Sequence, residues 1–111
     1  MNEVFRKEKI RELNDKLRTT FQGGRIMVTQ GVQSEGMIFQ LLAMKKIAEF
    51  TDFNESNDPH GEHDLIVVEV QGSKVFAKID YYDLGLTMHS PDEADEAVTC
   101  RVMTVMLGHE M

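Results

Sequence analysis

The chain has 111 residues, of which 41% are hydrophobic and 28% are charged, and its formal net charge at pH 7 is -7. These values fit one folded domain, residues 1–111, and disfavour both a largely disordered chain and a fold that depends on metal or disulfides. The single cysteine cannot form an internal disulfide and no apolar run is long enough to cross a bilayer, so we expect a cytoplasmic protein without a membrane segment.

The charge is unevenly distributed along the chain. Residues 1–22 carry six Lys or Arg against four Asp or Glu, residues 23–53 carry three of each, and residues 54–111 carry three against twelve. An acidic C-terminal half disfavours binding to nucleic acid and favours a basic protein partner. The simpler interpretation is that these acids keep a soluble protein in solution.

The first quarter of the chain predicts a helix and a short strand. Apolar residues at helical spacing predict an amphipathic helix from Asn2 to about Thr20: Ile10, Leu13 and Leu17. The glycines at 23 and 24 then form a turn, and residues 25–30 predict a strand with Met27 facing away from its neighbours. Because this glycine pair leads from a helix into a strand, it is not a phosphate-binding loop.

Residues 34–50 predict a second helix with Ser34 as its N-cap. Its broad apolar face is predicted to be buried and to contain Met37, Leu41, Met44 and Ala48, flanked by Ile38, Leu42 and Ile47. A methionine stripe can alternatively form an adaptable binding groove. Residues 51–61 then predict a polar loop that Phe53 attaches to the core.

Residues 64–70 and 74–82 predict a β-hairpin with a turn at Gln71 and Gly72. A register that places Val70 opposite Ser73 collects the apolar residues on one face. On the other face the same register pairs oppositely charged or hydrogen-bonding residues, Glu69 with Lys74 and His63 with Asp80.

The last quarter predicts a link and a third helix. Residues 84–89 predict a short edge strand or an extended connection. Ser90-Pro91-Asp92-Glu93 has the spacing of a capping box, and Asp95 offers a later start, so we predict a helix to about Leu107. Since this helix is apolar on two sides, it is either wedged into the fold, which we favour, or shared with a second subunit in a homodimer.

These elements predict an α+β domain in the order α-β-α-β-β-α. A small antiparallel sheet of three or four strands is expected to pack against the helices. The densest group of candidate binding residues lies at the open end of the hairpin: Asp58, His60, Glu62, His63, Asp64, Lys78, Asp80, Tyr82 and Asp83.

Two chemical uses of this group can be weighed from the sequence. The side chains of His60 and His63 diverge in a turn and a strand, so a metal site is disfavoured and no cofactor is expected. A His63–Asp80 pair is a candidate general base, but no nucleophile is evident nearby. We therefore predict that the pair is a structural hydrogen bond and that no residue is catalytic, with Glu62, His63 and Asp80 as the candidates if one is.

Several motifs resemble an uncharacterised bacterial family, domain-of-unknown-function family 3768, which is often met on plasmids and other mobile elements. The motifs are IRELND with R-x-T-F (10–21), GGR (23–25), FTDFNESNDP (from 50), GEHD (61–64), KIDYYD (78–83), SPD (90–92) and AVT-x-RV-x-T-x-ML (97–107). The family has no established activity. The resemblance implies that any shared site would contain Glu62, His63, Asp64, Lys78, Asp80, Tyr81, Tyr82 and Asp83, with Arg101 approaching from the last helix.

One position departs from the family pattern. His60 stands where the family's DP-x-GEHD motif has Tyr, so a family-wide metal site at this position is disfavoured. Our leading functional hypothesis is a non-enzymatic cytoplasmic interaction protein, an accessory of a mobile element that binds a host protein through an acidic surface. The alternative is a small hydrolase or metal-assisted enzyme built on Glu62, His63 and Asp80, which requires an open pocket at the mouth of the hairpin.

Overall fold

A computed structural model describes residues 2–111 of the chain. Within them lie helices α1 (Glu3–Thr20), α2 (Gln30–Ser34) and α3 (Met37–Glu49) and strands β1 (Arg25–Val28), β2 (Leu65–Val70), β3 (Ser73–Tyr82) and β4 (Cys100–Leu107). Short 3-10 turns at Glu96–Val98 and Gly108–Glu110 precede and follow β4. The α+β prediction is confirmed, although the order of elements is α-β-α-α-β-β-β.

The four strands form one mixed sheet in the order β1-β4-β3-β2. β2 pairs antiparallel with β3 and β3 with β4, whereas β1 pairs parallel with β4. The prediction of an antiparallel sheet is therefore wrong at this one edge. Parallel neighbours need a long connection between them, and here α2, α3 and the hairpin separate β1 from β4 in the chain.

The register predicted for the hairpin is confirmed. Val70 lies opposite Ser73, Val68 opposite Val75 and Glu69 opposite Lys74. Gln71 and Gly72 both have positive φ, 50° and 86°, as expected of a two-residue turn that matches the twist of the strands. The register gives the sheet two faces, which we call the inner face, with Val75, Ala77 and Ile79, and the outer face, with Lys74, Phe76, Lys78, Asp80 and Tyr82.

The predicted last helix, from Ser90 or Asp95 to about Leu107, is wrong. Residues 100–107 form β4, which lies between β1 and β3. Arg101, Met103 and Val105 are buried and their neighbours at 100, 102 and 104 are less so, which is the period of two of a strand. The two apolar sides that suggested a wedged helix are the two faces of a central strand.

The predicted capping box forms a turn instead of a helix start. The Ser90 Oγ lies 2.7 Å from the Thr99 Oγ1 and accepts a hydrogen bond from the Asp92 N–H at 3.1 Å. The preceding link is also mostly turn, since its one β-bridge joins Tyr82 to His89 among the residues described. These contacts fix the connection between β3 and β4.

The helix predicted over 34–50 corresponds to α3, and the shorter helix α2 precedes it where no helix was predicted. The Thr29 side chain caps α2 by accepting from the Val32 N–H, and Gly36, with φ of 99°, separates α2 from α3. Ser34 is the last residue of α2 and not an N-cap. A positive φ at Gly36 is incompatible with a continuous right-handed helix.

The buried stripe of α3 also differs from the prediction. It consists of Phe39, Ala43 and Ile47, whereas Met37, Ile38 and Leu41 are 78%, 71% and 62% exposed. Because apolar residues occupy almost every turn of this helix, their spacing does not specify which side is buried. Contacts with α1 and β2 decide it.

The predictions for α1 and its surroundings are confirmed. The Asn2 side chain accepts from the Phe5 N–H at one end, and Phe21 ends the helix in a left-handed conformation. A Cβ atom at Gly24 would lie 2.6 Å from the Arg101 carbonyl oxygen, so the glycine pair is a turn that passes close to β4. Phe53 packs against the core, as expected.

One hydrophobic core lies between the inner face and the three helices. Helix residues in it are Leu17, Val32, Phe39, Ala43 and Ile47, and sheet residues include Ile66, Val75, Ala77, Met103 and Val105. Between residues 2 and 111, no helix combines the length and apolarity needed to cross a membrane.

Candidate functional site

The open end of the hairpin is where most of the predicted site residues lie. β2 begins there, β3 ends there, and α1 crosses the inner face above them. The two connections that enter and leave this end of the sheet are residues 51–64 and 83–99. Together these elements determine whether the mouth of the hairpin is a pocket or a filled network.

On the inner face the mouth is filled by a hydrogen-bonded network centred on Asn14, which is fully buried. The Asn14 amide donates to the Tyr81 hydroxyl at 2.8 Å and to the Glu62 carbonyl at 3.0 Å, and its oxygen accepts from the Arg101 Nε at 2.9 Å. The Tyr81 hydroxyl in turn donates to the Glu62 carboxylate at 2.8 Å. We call Asn14, Glu62, Tyr81 and Arg101 the inner network.

Arg101 is the most deeply placed charge of the inner network, with 2% of its surface exposed. Its guanidinium donates to the Glu93 carbonyl and lies 5.3 Å from the centre of the Tyr81 ring. Cation–π contact and hydrogen bonds compensate for the loss of water around a buried cation. Arg101 approaches the site as predicted, although from a strand and not from a helix.

Burial changes the titration of two members of the inner network. It raises the pKa of the Tyr81 hydroxyl far above its usual value, and the neighbouring Glu62 carboxylate adds to this effect. It lowers the pKa of Arg101, against the attraction of the surrounding acids. Loss of hydration disfavours the charged form of either group. Tyr81 is therefore a neutral hydrogen-bond donor and not a source of phenolate.

His63 lies beside the inner network but does not pair with Asp80, so that prediction is wrong. Its Nδ1 is 2.9 Å from an Asp15 carboxylate oxygen, and its Nε2 is 3.5 Å from Asp58. Its φ of 56° turns the chain out of the strand immediately before β2. The ring then stacks on Phe53 with centroids 3.5 Å apart. A residue in the left-handed region interrupts the alternation on which the cross-strand prediction depended.

Arg18 extends this arrangement toward α3. It donates to Asp15 at 2.9 Å, and its Nη1 donates to the carbonyls of Ile47 and Phe50 at 3.0 and 2.9 Å. A cation at the C-terminal end of a helix satisfies carbonyls that have no partner inside the helix. The contacts of His63 and Arg18 therefore join the loop, α1 and α3.

The outer face carries a different group of predicted residues. The Asp80 carboxylate is 3.6 Å from the Lys78 Nζ, and both line a shallow open cleft of about 270 Å³ with Asp64, Tyr82, Met88 and His89. Since Asp80 and Tyr81 are neighbours on β3, their side chains point to opposite faces. The structure thus separates Asp80 from Glu62 and His63.

The two remaining predicted residues lie apart from both groups. The Asp83 carboxylate accepts from the backbone N–H and the hydroxyl of Thr87 at 2.9 and 3.0 Å. These bonds, the backbone one first, lower the pKa of Asp83 and fix the turn after β3. His60 is exposed at the surface of the loop.

A family model described as "Protein of unknown function (DUF3768)" matches residues 28–110. The chain belongs to this family. No curated protein and no solved structure matches the chain. The stretches GEHD and KIDYYD of the DUF3768 chain supply Glu62, His63 and Tyr81, so the motifs that carry the resemblance build the filled side of the hairpin mouth. Asn14 lies outside the matched residues.

The DUF3768 chain does not gather its acids and histidines into one metal-ligating group. Across residues 2–111 no three side chains of His, Cys, Asp or Glu are placed to hold a metal ion. Glu62 faces the inner network, His63 faces Asp15, and Asp80 faces the outer cleft. These positions distribute the ligands over both faces of the sheet.

The same end of the DUF3768 sheet is strongly acidic. Residues 51–64 and 83–99, which we call the acidic end, contain no Lys or Arg. They contain Asp52, Glu55, Asp58, Glu62, Asp64, Asp83, Asp92, Glu93, Asp95 and Glu96. The sequence has an excess of acidic residues in its C-terminal half. The fold brings many of them together at this end of the sheet.

Part of this acidity is neutralised within the DUF3768 fold. Arg6 of α1 donates to Asp92 at 2.7 Å and to Glu93 at 3.1 Å. The bond from Arg6 lowers the pKa of Asp92, and a bond to His89, followed by the bond to Arg6, lowers that of Glu93. The other acids of the two connections remain as the source of a negative field.

The sequence interpretation missed four residues of this region: Asn14, Asp15, Arg18 and Arg6. Each is on α1, where polar residues were assigned to the solvated side. The sequence did contain a signal for the burial of Asn14. It lies three residues before Leu17, on the same side of the helix as the apolar stripe. A polar residue on a buried stripe requires hydrogen-bond partners inside the fold.

Proposed function

We propose that this protein is a non-enzymatic interaction protein whose acidic end binds a basic surface on another protein. The observation that carries the proposal is the position of residues 51–64 and 83–99, which contain no Lys or Arg, at one end of the sheet. Acids concentrated at one end of a small domain attract an oppositely charged partner and orient it during encounter.

Four acids of the acidic end are available to such a partner. Asp52, Glu55, Asp95 and Glu96 are exposed. Within residues 2–111 none of the four forms a salt bridge. Because no cation of the same chain lies within salt-bridge distance of them, these four are the residues to test.

The finer form of the proposal places the protein in the bacterial cytoplasm as an accessory of a plasmid or phage that binds a host protein. The resemblance to a family met on mobile elements supports this form, and the single cysteine fits a reducing compartment. The small size of the domain suits a protein that acts by occupying a surface.

The geometry favours this proposal over a hydrolase built on Glu62, His63 and Asp80. General acid–base catalysis needs its groups within hydrogen-bond reach of one substrate. Glu62 accepts from Tyr81, and His63 lies between Asp15 and Asp58. Asp80 lies on the other face of the sheet beside Lys78.

The test compares two variants with the same change in net charge. In the acidic-end variant, Asp52→Asn, Glu55→Gln, Asp95→Asn and Glu96→Gln remove the four exposed acids. In the control variant, Glu8→Gln, Glu12→Gln, Glu35→Gln and Glu49→Gln remove four exposed acids from α1 and the surroundings of α3. Affinity capture from a bacterial lysate over a series of salt concentrations is then quantified for each protein.

We expect the wild type and the control variant to retain the same bound proteins, with retention decreasing as salt screens the charges. The acidic-end variant is expected to lose them. Equal loss in both variants would show that only net charge matters, and retention that is insensitive to salt would contradict the electrostatic mechanism. Recovery of no partner by the wild type would overturn the proposal.

A further inference from the structure

The outer face of the sheet is not covered by any helix in the part of the chain that the structure describes, residues 2–111. The buried residues of α1, α2 and α3 in the core cluster pack with the inner-face residues of the strands. Besides their neighbours in the sheet, the outer-face residues of β3 meet only the turns at its two ends: Phe76 lies beside Gly108, and Asp80 and Tyr82 line a cleft with Met88 and His89. This leaves one side of a four-stranded sheet open.

An open sheet face normally alternates polar residues outward and apolar residues inward. Here the middle of the outer face is apolar. Val67 lies opposite Phe76, which lies opposite Met106, so three large apolar side chains form a row across β2, β3 and β4. Leu65 on β2 and Met27 on β1 flank this row, and Val102 lies farther along β4, beyond Thr104. Met27 and Val67 are 56% and 37% exposed, whereas Met106 is 8% exposed. We call these six residues the outer patch. A contiguous apolar area of this kind is typical of an interaction surface.

Charges of opposite sign border the outer patch along β3. Lys74, opposite Glu69 of β2, lies at one end of the strand, and Asp80, beside Lys78, lies toward the other end on the same face. They are six positions apart, which is about 20 Å in an extended strand. Each is therefore too far from the other to pair within one chain.

We propose that the outer face binds the outer face of a second copy of this chain. A two-fold axis in the plane of the interface and perpendicular to the strands, passing between Phe76 and Lys78, reverses the order of residues along β3. It places Asp80 near Lys74 of the partner subunit, and the reverse pair forms at the other end. It also places Leu65 over Val67 of the partner subunit. The same operation therefore matches Asp80 with an opposite charge and Leu65 with an apolar residue.

This reciprocity selects a second copy over an unrelated partner. In a two-fold dimer each contact occurs twice, so a surface that is complementary to itself gains both ion pairs from one arrangement. The stem of Lys78 covers the Phe76 ring of the partner subunit, as long cationic side chains do at apolar surfaces. Asp80, which is 3.6 Å from Lys78 in its own chain, then lies between two cations.

The size of the face sets the expected strength of the dimer. Four strands spaced by about 4.8 Å, with about five residues each rising about 3.3 Å, have a projected area of roughly 300 Å². For the two subunits together this is about 600 Å², which is smaller than most specific interfaces, so we expect a weak dimer that dissociates at roughly tens of micromolar or above. The contacts named for the dimer do not include Asp52, Glu55, Asp95 or Glu96, the four acids that test the proposed function, so the two proposals stand or fall independently.

The decisive experiment is sedimentation equilibrium of the wild type and of two charge-reversal variants, Asp80→Lys and Lys74→Asp. The wild type is expected to change from 12.7 kDa to twice that mass as its concentration rises from micromolar to hundreds of micromolar. Each variant alone is expected to dissociate at least tenfold more readily, because it places like charges together twice. An equimolar mixture of the two variants restores both ion pairs and is expected to associate like the wild type.

A zero-length carbodiimide crosslink identifies the contact directly. A Lys74–Asp80 bond cannot form within one chain across about 20 Å of strand, so its detection by mass spectrometry in a mixture of isotopically light and heavy protein reports the dimer. Circular dichroism confirms that each variant is folded. Leu41→Lys, which changes an exposed apolar residue of α3, serves as a control and is expected to leave the mass unchanged.

Three results would overturn the proposal. The first is a wild type that stays at 12.7 kDa throughout the concentration range. The second is a mixture of Asp80→Lys and Lys74→Asp that associates no better than either variant alone. The third is a dimer that Leu41→Lys disrupts while both charge reversals leave it intact, since this would place the interface on α3.

Discussion

Tyr81 and Asp80 are adjacent on β3, yet their surroundings differ in almost every respect. The Tyr81 hydroxyl accepts from Asn14 and donates to Glu62 inside the inner network. Asp80 faces an open cleft and has one cation, Lys78, at 3.6 Å. One side of the strand is closed by α1, and the other side is free.

The difference shows that the polar side chains on the inner face of the hairpin mouth stabilise the fold by hydrogen-bonding with one another. Throughout residues 2–111, every buried side-chain nitrogen or oxygen atom has a hydrogen-bond partner. A fully satisfied network specifies one arrangement of α1, the loop and the sheet. The acidic end and the outer face are surfaces that remain open to a partner.

The largest expected effect distinguishes two arginines on opposite faces of the sheet. Arg101→Leu removes the donor to Asn14 and to the Glu93 carbonyl, so we expect the free energy of unfolding to fall by about 2–4 kcal/mol. Arg25→Leu changes an exposed arginine that neighbours Val102 on the outer face, and we expect a change within about 0.5 kcal/mol. Urea denaturation measures both. Similar values for the two variants would contradict the contrast between the faces.

The next effect distinguishes the two tyrosines. Tyr81→Phe removes a hydroxyl with two buried partners, so we expect a loss of about 1–2 kcal/mol in the free energy of unfolding. Tyr82→Phe removes a hydroxyl from the partly exposed outer face and serves as the matched control, with almost no loss expected. If Tyr82→Phe were the more destabilising change, the inner network would not be the structural one.

The pH dependence of Tyr81 tests the same network in another way. Its pKa is raised by burial, so its contribution to stability is fully present below about pH 10 and is lost as the pH rises above that value. In Tyr82→Phe the sole remaining tyrosine is Tyr81. Its tyrosinate absorbance is expected to appear only when the protein unfolds at high pH. Ionisation at pH 10 in the folded protein would contradict the burial of the hydroxyl.

The smallest effect concerns the exposed pair of Arg6 and Asp92. The hydrogen bond from Arg6 lowers the pKa of Asp92. The pair therefore stabilises the fold above about pH 4, and this stabilisation is lost as the pH falls below that value. In Arg6→Gln we expect the Asp92 pKa to rise toward its ordinary value in an NMR titration. Because the pair is exposed, we expect only a small change in Tm near neutral pH. An unchanged Asp92 pKa would exclude the pairing.

The sequence was sufficient where one local pattern determined the structure. The hairpin register followed from the alternation of Ile66, Val68 and Val70 with its turn, and α1 followed from its narrow apolar stripe. Such patterns are local, and a register shift of one residue would expose the whole apolar set.

The sequence was insufficient where tertiary contacts decided. β4 has apolar residues on both faces, which periodicity does not distinguish from a helix buried on two sides. His63 adopts a positive φ that no glycine signals, and its partner Asp15 is 48 positions away on α1. The sequence therefore located His63 at the hairpin mouth but gave it the wrong partner.

The most direct test of the account applies the capture assay to two variants side by side, Tyr81→Phe and the acidic-end variant. Below its unfolding temperature Tyr81→Phe is expected to retain the same bound proteins as the wild type at every salt concentration. The acidic-end variant is expected to lose them while its Tm stays close to that of the wild type. Loss of binding by folded Tyr81→Phe, with binding kept by the acidic-end variant, would contradict the claim that the inner network is structural and the acidic end binds.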